Sequence, residues 1–108
     1  MPLTKSFRET VQERAAGDPA FREALFQEAV QALLAGDADA GRAAMRDYIN
    51  ATLGFEKLGA ALGRSPKSLM RMFGSSGNPT AENLLGVIGA LQAETGVRLE
   101  VRAVADAA

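Results

Sequence analysis

The residues best suited to do chemistry fall between Lys57 and Asn78. Lys57, Arg64, Lys67 and Arg71 are basic, Ser65, Ser68, Ser75 and Ser76 carry hydroxyls, and no acidic side chain interrupts the stretch. Such a set holds phosphates and reads base edges. Lys67 and Arg71 are four residues apart, so on a helix they share a face. An arginine there can give a guanine two hydrogen bonds, a contact contributing about 1–3 kcal/mol of discrimination. The expected base contacts are Ser65, Lys67, Ser68 and Arg71. The expected phosphate contacts are Lys57, Arg64, Ser75, Ser76 and Asn78, which would set register rather than sequence preference.

These residues need a frame, and the stretch FEKLGAALGRSPKSLMRMF, Phe55 to Phe73, supplies one. Leu58, Gly59 and Leu62 give a first short helix a narrow apolar face. Gly63 stops it, because glycine takes the left-handed conformation that a helix end needs. Ser65 can cap a second helix, and Pro66 fits its first turn, where the missing N–H costs nothing. Leu69, Met72 and Phe73 recur at helical spacing. Helix, tight glycine turn and capped second helix form the helix-turn-helix pattern, although the same corner also occurs in plain helical bundles. The loop Gly74 to Pro79 that follows is dense in turn residues and suits phosphate contact or an ordinary turn. It lacks the Gly-Lys-Ser/Thr ending of a nucleotide loop.

Composition narrows the alternatives. The chain has 108 residues, so one domain is expected, and 47% of them are hydrophobic, enough for a core. It contains no cysteine and no histidine, which excludes disulfides, thiolate or imidazole metal sites, and nucleophile–base pairs built on either residue. Asp47 and Glu28 fall on helix patterns as isolated carboxylates, with no constellation for acid–base work. No catalytic group, metal or cofactor is expected, and the chain does not read as an enzyme. No run approaches a membrane span and the first residues have no apolar signal core, so a cytoplasmic protein with no membrane partner is expected. The net charge is −1, but residues 55–79 carry four basic groups against Glu56 alone, a local +3. The positive charge sits on the proposed reading unit.

Along the chain, residues 1–18 form an N-terminal extension, with a short helix over 1–16 that sets Phe7 and Val11 on one side. Gly17-Asp18-Pro19 breaks it, Asp18 as a cap and Pro19 at the next helix start. Phe21, Leu25, Phe26, Ala29, Val30, Leu33 and Leu34 then make a broad stripe for core packing, ending near Gly36. Asp37 to Asp39 opens a further helix, whose apolar side is Met45, Tyr48, Ile49, Thr52 and Leu53, and Gly54 closes it. After the central unit, Thr80 caps a last helix packed by Leu84, Leu85, Val87, Ile88 and Leu91, and Gly96 ends it. Val97-Arg98-Leu99-Glu100-Val101 alternates apolar and charged residues, which predicts a short β-strand. A lone strand leaves its backbone unpaired. Pairing with the same segment of a second copy, giving a homodimer through Val97–Val101, is favoured over an extended tail packed on its own domain. Residues 103–108 are expected to be a disordered tail.

Three blocks carry a resemblance to a known family: AGDADAGRAAMRDYI, LGAALGRSPKSLMRMF, and GNPTAENLLGVIGAL followed by VRLEV. From Phe21 to Val101 the chain resembles the addiction-module antidote (antitoxin-like) family of small helix-turn-helix transcriptional regulators, relatives of the Xre and phage-repressor class. The resemblance leaves the first twenty residues unexplained. It implies a lambda-repressor-like fold, transcriptional repression, often of the protein's own operon, and in some cases neutralisation of a co-encoded toxin. The chain departs from the family pattern at Gly59, usually alanine, at Pro66, usually polar, and at Phe55 and Glu56, where polar residues are commoner.

The expected fold is therefore all-α. It is a five- to six-helix domain over residues 19–102 with a helix-turn-helix, plus the short C-terminal strand. The expected function is binding of a roughly palindromic double-stranded operator as a homodimer. The alternative is a protein-interaction module that neutralises a toxin partner and hardly touches DNA.

Overall fold

The helices start and stop where the local chemistry dictates. The computed structural model describes residues 7–107. Six helices run in order: α1 Phe7–Gly17, α2 Pro19–Leu34, α3 Ala38–Ala51, α4 Phe55–Leu62, α5 Pro66–Met72 and α6 Ala81–Thr95. Four of them open on a side-chain cap. Asp18 accepts the Phe21 N–H at 3.2 Å and Asp37 the Ala40 N–H at 3.2 Å. Ser65 accepts the Ser68 N–H and Thr80 the Asn83 N–H, both at 3.1 Å. Each such cap contributes about 1 kcal/mol by satisfying a helix-end donor that otherwise has no partner. The last carbonyls of α1 are met from the next helix, as the Arg22 guanidinium donates to Ala15 O at 2.6 Å and Ala16 O at 3.2 Å.

The apolar faces of five helices meet in one core. Phe26 and Ala29 come from α2, and Met45, Tyr48 and Ile49 from α3. Phe55 and Leu58 come from α4, Leu69 and Phe73 from α5 and its end, and Val87 and Leu91 from α6. Phe26 stacks on Tyr48 with ring centroids 4.3 Å apart and planes 9° apart. The Tyr48 hydroxyl donates to Thr95 Oγ1 at 3.3 Å, and Thr95 in turn donates to the Leu91 carbonyl at 2.6 Å. A buried phenol needs such a partner. α2 and α3 pack most extensively, α1 lies against both, and α4 contacts α5 and α6. The α2 stripe is spent on this core from Leu25 to Leu33, while Phe21 lies under the Arg14 guanidinium, 4.7 Å from its ring centroid, and Leu34 is 69% exposed. On α6 Leu85 departs from its expected packing role and is 65% exposed.

The C-terminal strand is a correction: no strand forms among the described residues. The period-two pattern is real, but it reports one-sided packing on the domain itself. Val97 and Leu99 pack against the core while Arg98 and Glu100 stay outside and pair at 2.9 Å. Side chains of α6 take the place of a neighbouring strand. The Leu99 N–H donates to Gln92 Oε1 at 2.9 Å, and the Val97 N–H reaches Thr95 Oγ1 at 3.4 Å. Residues 103–107 of the expected disordered tail are exposed and without regular secondary structure, and Ala108 lies outside the described residues. The expected helix over 1–16 is helical from Phe7 on; residues 1–6 and the Phe7 side chain lie outside the described residues.

Tyr48 makes this core sensitive to alkali. Burial raises its phenol above the ordinary 10.0, against a smaller lowering from the Thr95 hydrogen bond. The folded state therefore keeps this proton to higher pH than the unfolded chain. The contribution is fully present below pH 10.0 and is lost as pH rises from there through the folded value. Tyr48→Phe should cost about 0.5–1.5 kcal/mol at neutral pH through the lost hydrogen bond. It should also flatten the fall in melting temperature above pH 10 relative to the parent chain, and paired melts across that range read both effects.

Candidate nucleic-acid interface

The corner between α4 and α5 is made by backbone contact. Gly63 ends α4 with φ 67°, the left-handed conformation that a side chain resists. The chain then reverses onto α4, and the Arg64 N–H donates to the Gly59 carbonyl at 3.0 Å. A Cβ at Gly59 would sit 2.5 Å from the Arg64 carbonyl oxygen and 3.5 Å from the Pro66 ring. Glycine is thus required by close approach at this position. Leu58, Leu69 and Phe73 are buried behind this corner. The outer face of α5 is thereby fixed outward, and Lys67, Met70 and Arg71 are exposed.

A groove of about 320 Å³ opens between α5, the loop after it and the start of α6. Arg64, Ser68, Arg71, Ser76, Asn78 and Asn83 line it. The loop is tucked tightly under α5, for a Cβ at Gly77 would run into the carbonyls of Arg71 and Met72. The Arg64 guanidinium donates to Asn83 Oδ1 at 2.6 Å, which ties the α4–α5 turn to the first turn of α6. No carboxylate lines the groove. It presents guanidinium, hydroxyl and amide groups, a surface suited to anionic oxygens and to the hydrogen-bonding edges of bases.

The nine expected contact residues divide on this surface. Arg64, Ser68, Arg71, Ser76 and Asn78 come together in the groove. Lys67 lies on the exposed outer face of α5 and Lys57 on the exposed side of α4, both outside the groove lining. Neither Lys67 nor Arg71 is held by a side-chain hydrogen bond or ion pair among the described residues. The Ser65 oxygen already accepts one hydrogen bond as the α5 cap, which leaves its O–H and its second lone pair for other partners. Ser75 lines a separate pocket with Asp39, Arg42 and Arg46 of α3. Sequence reasoning missed Asn83, Arg42 and Arg46. Asn83 follows its cap Thr80 as an ordinary first-turn residue, and the two arginines precede the central unit. Only the fold brings them near it.

No group of three or more acidic side chains among the described residues could hold a metal ion, and none of their helices is long and apolar enough to cross a membrane. No protein-family model matches the chain, and neither a curated protein nor a solved structure is similar enough to count as a match.

The corner predicts opposite outcomes for two glycine substitutions. In a helix interior, alanine is favoured over glycine by about 1 kcal/mol. At Gly86 on α6 nothing lies within 4 Å of an added Cβ. Gly86→Ala should therefore stabilise the protein by about 0.4–1 kcal/mol. At Gly59 the clash with a backbone oxygen outweighs that gain, and Gly59→Ala should destabilise by about 1–3 kcal/mol. Urea unfolding of the two variants measures both signs.

Proposed function

We propose that the protein is a sequence-specific double-stranded DNA-binding regulator of the antitoxin-like kind, in which α4 and α5 act as a helix-turn-helix. The observation that carries this reading is the carboxylate-free groove beside the exposed Lys67 and Arg71 on a capped, rigidly seated α5. Seven residues of α-helix are about 10 Å long, a fit to the ~12 Å width of the major groove. In this reading α5 enters the major groove with its N-terminal end leading. Lys67 and Arg71 face base edges, with Ser68 and the Ser65 hydroxyl beside them. Arg64, Ser76 and Asn78 take phosphates along the groove, and Lys57 and Ser75 do so at its flanks. The protein works in the cytoplasm, and its effect on transcription is repression.

Two copies bind together, each reading a half-site about one helical turn from the other. Val97 and Leu99 are occupied in their own core, so the 97–101 segment offers a partner its outer row. Antiparallel pairing of two copies about Leu99 places Arg98 of each opposite Glu100 of the other, a self-complementary arrangement of the kind a two-fold axis requires. In sedimentation, Arg98→Glu should give monomers, and adding Glu100→Arg should restore the dimer. A single variant that stays dimeric puts the interface elsewhere.

The function is tested by selecting bound sequences from random duplex DNA at two salt concentrations. An enriched palindrome that survives higher salt is the expected outcome, because the non-specific part of binding falls steeply with salt. Arg71→Ala should lower affinity for that palindrome by about 1–3 kcal/mol and leave random DNA much less affected. Equal losses on both would make Arg71 a phosphate contact. An absence of enrichment would leave the chain a protein-interaction module with a toxin as its candidate partner.

A further inference from the structure

Outside the reading groove, α3 carries two arginines that line a pocket of their own. Arg42 and Arg46 are four residues apart and so share one face of α3. With Asp39, Gly74 and Ser75 they line an open pocket of about 260 Å³ between α3 and the loop after α5. Arg46 is anchored there, donating through Nη1 to the Phe73 carbonyl at 3.2 Å. The Arg42 side chain is only 12% exposed and pairs with Asp39, whose side chain is 90% exposed. The Nε atoms of both arginines are buried with no hydrogen-bond acceptor among the described residues. Arg42 and Arg46 thus line one pocket, each with an Nε–H donor unspent, and Asp39 is the one carboxylate lining it.

We propose that this pocket binds a phosphate oxyanion through Arg42 and Arg46, with Ser75 at its rim. Guanidinium forks match the oxygens of phosphate two at a time, and a phosphate has enough oxygens to engage both side chains at once. Asp39 now meets one of the two positive charges. Its exposed pairing is weak, and an incoming dianion displaces it and takes both guanidiniums. Charge-assisted hydrogen bonds from the two guanidiniums to the anion are where the binding free energy arises. The site does not depend on the reading groove. The phosphate comes either from a nucleic-acid backbone, in which case the pocket adds an anchor beside Ser75, or from a free phosphate or phosphomonoester, in which case it is an effector site.

The test is an NMR titration of the intact protein with inorganic phosphate at constant ionic strength, with sodium chloride as the control. The expected result is a saturable shift of the Arg42 and Arg46 Nε–H signals and of the Gly74 and Ser75 amides. Arg42→Gln should weaken it at least tenfold while the melting temperature stays close to the parent value. The same variant is then measured on duplex DNA across a salt series. A uniform loss of affinity with a salt slope reduced by about one identifies a backbone phosphate. Unchanged DNA affinity alongside lost phosphate saturation identifies a free anion. Phosphate shifts that track the chloride control, together with an unchanged salt slope in Arg42→Gln, overturn the proposal. The phosphate arm decides the matter even if the protein binds no DNA.

Discussion

Everything presented by α5 depends on the seat of the Arg64 carbonyl against Gly59. Two backbones cannot come that close with a Cβ between them, so the absence of one side chain sets the separation of α4 and α5. Gly63 turns the chain back, and the Ser65 cap with Pro66 restarts the helix at once. Leu58, Leu69 and Phe73 then bury the inner side of both helices. The backbone of the corner is thereby held, and Lys67 and Arg71 project from fixed positions on α5. Preorganisation of this kind lowers the ordering cost of recognition.

The rest of the molecule supports that corner from two sides. α2 and α3 supply the stacked Phe26–Tyr48 pair, and Tyr48 reaches across to Thr95 near the end of α6. At the other end of α6, Asn83 holds Arg64. α6 is therefore fixed at its end by the core and at its start by the turn. The Arg46 contact to the Phe73 carbonyl adds a third tie, from α3 to the end of α5. The polar ties sit at helix ends, where backbone groups lack intrahelical partners and hydrogen bonds yield most.

The sequence made the helical frame legible because its signals are local. Asp18, Asp37, Ser65 and Thr80 each act within three residues of themselves, and glycine at 63 and 96 needs only its own φ. What was misread depended on distant residues. The alternation over 97–100 records a buried and an exposed side, and it is the same whether the buried side meets a strand or a helical core, while Val101 stays 79% exposed. Leu85 fits the helical period yet is 65% exposed, because the period does not say how wide a face of α6 the core covers. Ser75 and Ser76 are neighbours in one loop, but the turn between them sends the two into different pockets. Arg42, Arg46 and Asn83 gained meaning only when folding brought elements together, which no spacing rule encodes.

The glycines also say where this chain is free to vary. Around Gly86 and Gly89 there is open space, while at Gly59 and Gly77 backbone oxygens occupy the volume a methyl group would need. Tolerance to an added side chain therefore differs sharply along a short stretch. The open side of α6 can accumulate substitutions over generations, whereas the corner and the loop under α5 hold two sites that drift cannot change without moving the surface they support. The outward side chains of α5 can be exchanged across a lineage while the frame beneath them is inherited intact.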